Sequence, residues 1–310
     1  MGRRIWKNSI FLPESEAVQS IYDSASMYGD ACFTMLRSFN KQPFRLEAHL
    51  DRLLENCKFT EMPLEYNFHQ LKHAVWDTIF ANRKEFADDD EYRIFINVSR
   101  GPLPIYKDIL EVKPWTAISI YPLSWVLRGM SQFYQTGRPA IITSQTAIPS
   151  RFLENKVKNH CRLSSRLAEL EAKRSDPDAW PLLVDDLGHI TESTGANFFC
   201  VHQDRLFTPP PENCLRGISR GYVLSLARQY GVEYRERDIS AYDAITADES
   251  FFTATPFSIL PCTKINGQKI GSGKVGKVTQ FLIDKWIEAV GVDFVEQARR
   301  WDNDLQKTAG

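Results

Sequence analysis

The chain has 310 residues, enough for one large domain or two ordinary ones and for a sizeable buried core. Its 38 basic residues balance 39 acidic ones, which excludes a general electrostatic pull toward nucleic acid or an anionic membrane, and 43% hydrophobic content is ordinary for a globular protein. No run of 18 apolar residues predicts a transmembrane helix, the basic start lacks the apolar core of a signal peptide, and six scattered cysteines without a C-x-x-C pair point to reduced thiols in a cytoplasmic setting and against a zinc site.

Taken in order, residues 5–12 read as a strand with a turn at Lys7-Asn8-Ser9. A glycine turn at Gly29 feeds an apolar strand from Ala31 to Arg37, closed as a hairpin by Lys41-Gln42-Pro43. Leu46 to Lys58 is helical, with Leu46, Leu50, Leu53, Leu54 and Cys57 on one face and His49 and Arg52 beside it; Phe68 to Arg83 is a second helix with Leu71, Val75 and Ile79 inward. Tyr92, Ile94, Ile96 and Val98 alternate with Arg93, Phe95 and Asn97 in a strand that ends at Ser99-Arg100-Gly101-Pro102, and Ala117 to Tyr121 is another. This half is an α+β pattern, an antiparallel sheet with helices.

The stretch 122–138 shows no clean period and reads as a connection between domains 1–121 and 139–310. Beyond it come strands at 140–144, 181–184, 189–191, 197–202 and 251–254, a helix over 220–230 and a final helix over 278–290. Ahead of Leu163 lie two lysines, Lys156 and Lys158. His160, Leu163, Leu167 and Leu170 step at helical spacing, which predicts an inward helical stripe with Lys158 at its electropositive mouth. The helix dipole there disfavours the ammonium form and favours an amine nucleophile. Alone, either lysine reads as a solvated surface charge.

The glycine-rich run Gly271-Ser272-Gly273-Lys274-Val275-Gly276-Lys277 imitates a nucleotide loop. A magnesium-binding hydroxyl is missing, because residue 278 is Val, and the preceding stretch reads as a small polar hairpin rather than a buried strand. More informative is Glu192, which ends a short strand before the small residues Ser193, Thr194, Gly195 and Ala196. Ser219 follows Gly217 at a helix start, where free N–H groups bind anions, and Thr255 offers a second hydroxyl. A Schiff-base lysine, a carboxylate, the arginine Arg52 and two hydroxyl-bearing turns together make the set that pyridoxal phosphate requires.

These residues carry a resemblance to the fold-type IV (class IV) pyridoxal-phosphate enzymes: branched-chain and D-amino-acid aminotransferases and aminodeoxychorismate lyases. Tyr28-Gly29-Asp30-Ala31-Cys32-Phe33 resembles the family's Y-G-D-x-x-F, His49-Leu50-Asp51-Arg52-Leu53 its H-L-D-R-L, and Thr191-Glu192 with Asn197 its glutamate motif. Gly217-Ile218-Ser219-Arg220 looks like the phosphate-binding G-I-T-R, and Gly271 to Thr279 resembles its glycine-rich ending. Cys161 stands where the family's K-x-x-N has Asn, and Met35 where the lyases carry a threonine.

The resemblance implies a two-domain α+β protein of the D-amino-acid aminotransferase-like fold, with a smaller N-terminal domain, a larger β-rich C-terminal domain and the cofactor in the interdomain cleft. It implies a homodimer, expected to act on an amino acid and a 2-oxo acid by a ping-pong mechanism. Lys158 would be the catalytic Schiff-base lysine, and Arg52, Glu192, Ile218, Ser219 and Thr255 would bind the cofactor. Phe33, Arg37, Arg93 and Arg100 are candidates for binding substrate, each arginine having an ion-pair alternative. An aminodeoxychorismate-lyase-like activity is the alternative reading; a non-catalytic or nucleotide-binding protein is more remote.

Overall fold

The alternating segment Tyr92–Ser99 forms an interior strand of a six-stranded sheet. In the computed structural model, which describes residues 2–106 and 113–308, the chain divides into two compact units: Met1–Val126 with Val157–Arg162, and Leu127–Lys156 with Leu163–Gly310. Val157–Arg162 thus belongs with the first unit, although the sequence reading placed all of 139–310 in the second.

In the first unit, β1 (Arg4–Lys7) and β2 (Ile10–Pro13) form a hairpin across Asn8 and Ser9, both at positive φ as a two-residue turn requires. The short helix α1 (Ser24–Tyr28) is capped by Asp23, whose carboxylate accepts from the Ala25 N–H. A second hairpin joins β3 (Ala31–Phe39) to β4 (Gln42–Pro43). With β5 (Tyr92–Ser99) and β6 (Trp115–Pro122) the sheet order is β2-β1-β6-β5-β3-β4, antiparallel throughout. Helices α2 (Leu46–Phe59) and α3 (Phe68–Asn82) bury their apolar faces against it. Leu36, Ile94, Ile96, Ile118 and Ile120 meet Leu50, Leu53, Leu71 and Val75 there. Each such side chain contributes about 1.5–3 kcal/mol on burial.

Strand alternation sends the intervening residues to the other face. The register makes three rows: Arg37–Arg93–Tyr121, Met35–Phe95–Ser119 and Phe33–Asn97–Ala117.

The stretch expected as an irregular connection contains two short helices, α4 (Ser124–Leu127) and α5 (Phe133–Thr136). In the second unit, β7 (Ala140–Ile142) and β8 (Trp180–Leu182) are parallel neighbours joined through α6 (Leu163–Ser175), which packs on both. The strands β9 (Asn197–His202) and β10 (Arg205–Thr208) form a hairpin. Helix α7 (Ile218–Gln229) crosses to β11 (Tyr234–Glu236), parallel to β10. After α8 (Ala241–Ile245) come β12 (Glu249–Ala254), β13 (Ser258–Cys262), β14 (Lys264–Ile265) and β15 (Gln268–Lys269), then α9 (Lys277–Val290) and α10 (Phe294–Thr308). Among the described residues the sheet orders are β11-β10-β9-β12-β13 and β15-β14-β7-β8. Phe198, Phe199, Phe251 and Phe252 fill the core. The expected last helix was α9; α10 lies beyond it and buries Phe294, Ala298 and Trp301 at helical spacing.

Helix α6 departs most from the sequence reading. It begins at Leu163, five positions after Lys158, and the stripe expected inward is outside: Leu163, Leu167 and Leu170 are 75%, 46% and 37% exposed. The small residues Ala168 and Ala172 face the core instead, because close packing onto β7 and β8 favours short side chains.

Candidate active site

Lys158 lies in an extended segment added to the free edge of β3. Its carbonyl accepts the Phe33 N–H at 3.0 Å, His160 N–H donates to the Ala31 carbonyl at 3.3 Å, and Asn159 bridges to Cys32. A sheet edge rather than a helix mouth therefore positions Lys158. Gly29 permits this approach: it has φ +70°, and a Cβ there would stand 3.0 Å from the His160 and Cys161 backbone. Lys156 instead pairs with Glu154 at 3.6 Å.

The Lys158 Nζ is 4.7 Å from the centroid of the Phe33 ring. That ring stacks on His160 at 4.4 Å and meets Phe95 edge-on at 5.6 Å. The His160 Nε2 is 2.8 Å from the Asn97 amide oxygen, so Nε2 carries the proton. Burial, then the charges of Arg162 and Lys158, lowers the His160 pKa and favours the neutral ring.

Arg52 is buried on α2, and its NH2 donates to Thr34 Oγ1 at 3.3 Å. Thr34 Oγ1 is also 2.8 Å from His49 Nδ1. Burial first, then the charges of Arg52, Arg93 and Lys158, holds His49 well below the usual imidazole value. The charges of three of the predicted cations therefore act on one neutral ring.

Arg93 is also buried, and burial lowers its pKa while the neighbouring Tyr121 opposes that. Its NH2 reaches Met35 Sδ at 3.5 Å; among the described residues, Nε and NH1 meet no acceptor. Arg37, its cross-strand partner, donates from Nε to the Ser38 carbonyl and stacks 3.9 Å over Phe39. Arg100 is turned toward its own chain. It donates to Asp30 at 2.7 Å and to the carbonyls of Thr60 and Glu61 at 2.7 and 2.9 Å, which is the arrangement of the ion-pair alternative.

In the second unit Glu192 precedes β9 and bridges to Asn197. Its Oε2 accepts from Asn197 Nδ2 at 2.9 Å and from the Leu215 N–H at 3.3 Å. Asn197 Nδ2 also donates to the Leu215 carbonyl at 2.9 Å. Gly217 has an ordinary extended conformation, φ −64° and ψ 133°, yet a Cβ there would fall 2.0 Å from Asn197 Oδ1. Glycine is required by that close approach and not by backbone strain.

Gly217 is also the N-cap of α7 and has no side chain to close the first turn. The N–H groups of Ile218 and Ser219, with the buried Ser219 hydroxyl, therefore make a donor set suited to an anion. Helix α7 packs on β12, which leads directly into Thr255. At α9 the opposite holds. The Glu249 carboxylate accepts from the N–H groups of Val278 and Thr279 at 2.9 and 2.7 Å and from the Thr279 hydroxyl at 2.7 Å. The chain's own carboxylate fills that helix mouth, so the glycine-rich run is no nucleotide loop. Thr34, His49 and Gly217 were missing from the predicted site; the spacing of His49 and Arg52, one helical turn apart, was the available signal.

The chain matches the family profile described as amino-transferase class IV over residues 31–265. It is 31% identical over 285 residues, 91% of this chain and 95% of the other, to a Methanocaldococcus jannaschii protein provisionally named branched-chain-amino-acid aminotransferase. It is 26% identical over 275 residues to the D-alanine aminotransferase of Bacillus licheniformis, covering 88% of this chain and 92% of that one. The solved structure of the branched-chain amino acid aminotransferase from Thermobaculum terrenum in its PLP-form (holo-form) matches with a TM-score of 0.81 at 25% identity, covering 97% of both chains.

Proposed function

Since this chain belongs to the class IV aminotransferase family, we propose that it is a pyridoxal-phosphate-dependent enzyme that moves an amino group between an amino acid and a 2-oxo acid in two half-reactions. When bound, the cofactor supplies an electron sink for the substrate's Cα. In each unit the residues present suit a part of it. Lys158 offers the amine for its aldehyde. Arg52, the first turn of α7 and the hydroxyls of Ser219 and Thr255 offer donors for its phosphate. Glu192 offers a carboxylate for its pyridine nitrogen.

The observation that carries this reading is the fixing of Glu192 by Asn197 Nδ2 and the Leu215 N–H. A carboxylate held in one place by two donors is preorganised to keep a ring nitrogen protonated. Lys158 Nζ would take the proton from the substrate Cα as general base and, as general acid, would deliver it to the C4′ carbon of the cofactor. Arg93, a buried guanidinium with Nε and NH1 unbonded among the described residues, is assigned the substrate carboxylate, with Arg37 beside it and the Phe33 ring as a wall. Met35 weighs against the lyase alternative, because its thioether has no proton to transfer.

We further infer a homodimer, in which a second copy covers the exposed stripe Leu163, Leu167 and Leu170. A cytoplasmic setting fits the six free thiols. Titrating the protein with pyridoxal phosphate tests the central assignment. The wild type acquires a visible absorbance band and Lys158→Ala does not; identical spectra would sink it. Retained activity in Glu192→Ala would remove that carboxylate's role. A panel of L- and D-amino acids with 2-oxoglutarate then fixes substrate and hand.

A further inference from the structure

Thr34 is the anomaly of the first unit. It is fully buried on β3, on the side that faces α2, where its neighbours are Leu36, Ile94, Ile96, Leu50 and Leu53. A hydroxyl in such an apolar layer is costly unless it is hydrogen-bonded, and a valine would fill similar volume without that demand. Thr34 is bonded on both sides: Arg52 NH2 donates to its Oγ1 at 3.3 Å, and His49 Nδ1 lies 2.8 Å away. His49 and Arg52 are one turn apart on α2, so both side chains reach the same strand residue.

We propose that Thr34, backed by His49, is a positioning residue that fixes the Arg52 guanidinium for the phosphate of the cofactor. The inference rests on the reading of Arg52 as a phosphate ligand. Arg52 has no acceptor atom, so the Thr34 proton goes to His49, a ring kept neutral by burial and the surrounding cations, whose Nδ1 accepts while Nε2 carries its proton. The Thr34 lone pairs are left for Arg52. The result is a one-directional chain in which Arg52 donates to Thr34 and Thr34 donates to His49, each bond polarising the next. Arginine carries many rotamers, and a guanidinium already held in place loses less freedom when an anion arrives. A hydroxyl is the suitable anchor because it restrains Arg52 without contributing a negative charge that would compete with phosphate.

The test is equilibrium titration of the cofactor-free protein with pyridoxal phosphate and, separately, with pyridoxal, which has the aldehyde and ring but no phosphate. Thr34→Val is expected to weaken pyridoxal phosphate about tenfold, or about 1.4 kcal/mol, with pyridoxal unchanged. Thr34→Ser restores the preference, and Thr34→Val adds no further loss to Arg52→Lys. If Thr34→Val does not fold, Thr34→Cys keeps the volume, weakens the hydrogen bonds and has to lose part of the preference. Equal weakening of both ligands makes Thr34 merely structural and overturns the proposal. A preference lost in Arg52→Lys but intact in Thr34→Val overturns the positioning role and leaves Arg52 a phosphate ligand. A preference intact in Arg52→Lys overturns the assignment of Arg52 and the proposal with it.

Discussion

Gly217→Ala isolates the link between local backbone and the proposed catalytic carboxylate. At φ −64° and ψ 133° alanine is unstrained, so the substitution by itself would stabilise the fold by about 0.4–1 kcal/mol through the unfolded chain. The new Cβ, however, would fall 2.0 Å from Asn197 Oδ1. Asn197 is buried and held by two bonds from Nδ2, to Glu192 and to the Leu215 carbonyl, both 2.9 Å. Moving its amide aside forfeits a bond to a charged acceptor, about 1.5–3 kcal/mol, and a neutral one, about 1 kcal/mol. The net expectation is a loss of about 2–3 kcal/mol. Urea unfolding of the cofactor-free protein measures it, with Asn197→Ala as the second arm of a double-mutant cycle. In the Asn197→Ala background the obstruction is gone and Gly217→Ala becomes neutral or stabilising. A Gly217→Ala protein more stable than wild type, or the same loss in both backgrounds, would refute the tether. Pyridoxal phosphate affinity should fall in parallel, since Glu192 then loses the Asn197 bond that helps hold it.

Other outcomes follow from the same structure. His49 has its folded pKa held well below its ordinary 6.5, so the unfolded chain binds the extra proton first. Stability is complete above about pH 6.5 and falls as pH drops below it, by up to about 1.4 kcal/mol per unit; His49→Gln should flatten part of that slope in pH-dependent unfolding. Among the six cysteines Cys161 alone is exposed, and burial with the nearby Asp30 and Cys32 raises its pKa. A thiol reagent should find one reactive group in the native protein, faster at alkaline pH, and none in Cys161→Ser. Leu167→Glu on the exposed stripe of α6 should leave the far-ultraviolet spectrum intact and shift the mass measured by light scattering from two chains to one; an unchanged mass would move the interface elsewhere.

Much of the first unit was legible because its pattern is local. The turn at Asn8-Ser9 adopts the positive φ that short polar residues accept, while the second hairpin turns at Asn40-Lys41 and its expected Lys41-Gln42-Pro43 turn supplies β4; the period of two in Tyr92–Ser99 matches the burial of Ile94, Ile96 and Val98. The second unit hid more. Strands β13 and β11 are short, and β14 and β15 have two residues each, too few for any period to show. Helix α10 has a polar majority, and its few inward residues, Phe294, Ala298 and Trp301, are not a dense apolar face. The supporting hydrogen bonds were out of reach for another reason. Thr34 and His49 are 15 positions apart, and Gly217 is 20 beyond Asn197. A sequence marks residue types, whereas contact across two elements depends on register and on which way each side chain points.

Lys158 carries the larger lesson, since a sheet edge stands where the sequence reading expected a helix mouth. A helix mouth would have tuned its amine by dipole, and its neighbours would have been set by helical phase. The edge of β3 does something different. Pairing of 158–160 with 31–33 puts Lys158 beside Phe33 and puts His160 on the other side of that ring's environment, against Asn97. The strand that carries Phe33 carries Thr34 as its next residue, facing the opposite way toward His49 and Arg52. One β-strand therefore fixes the amine on one side and the guanidinium on the other, through backbone bonds and a buried hydroxyl. A slip of one residue in the pairing of 158–160 would move the amine by about 3.3 Å and turn its side chain to the opposite face. Register at that edge, more than the electrostatics of any helix, is what holds the proposed chemistry together.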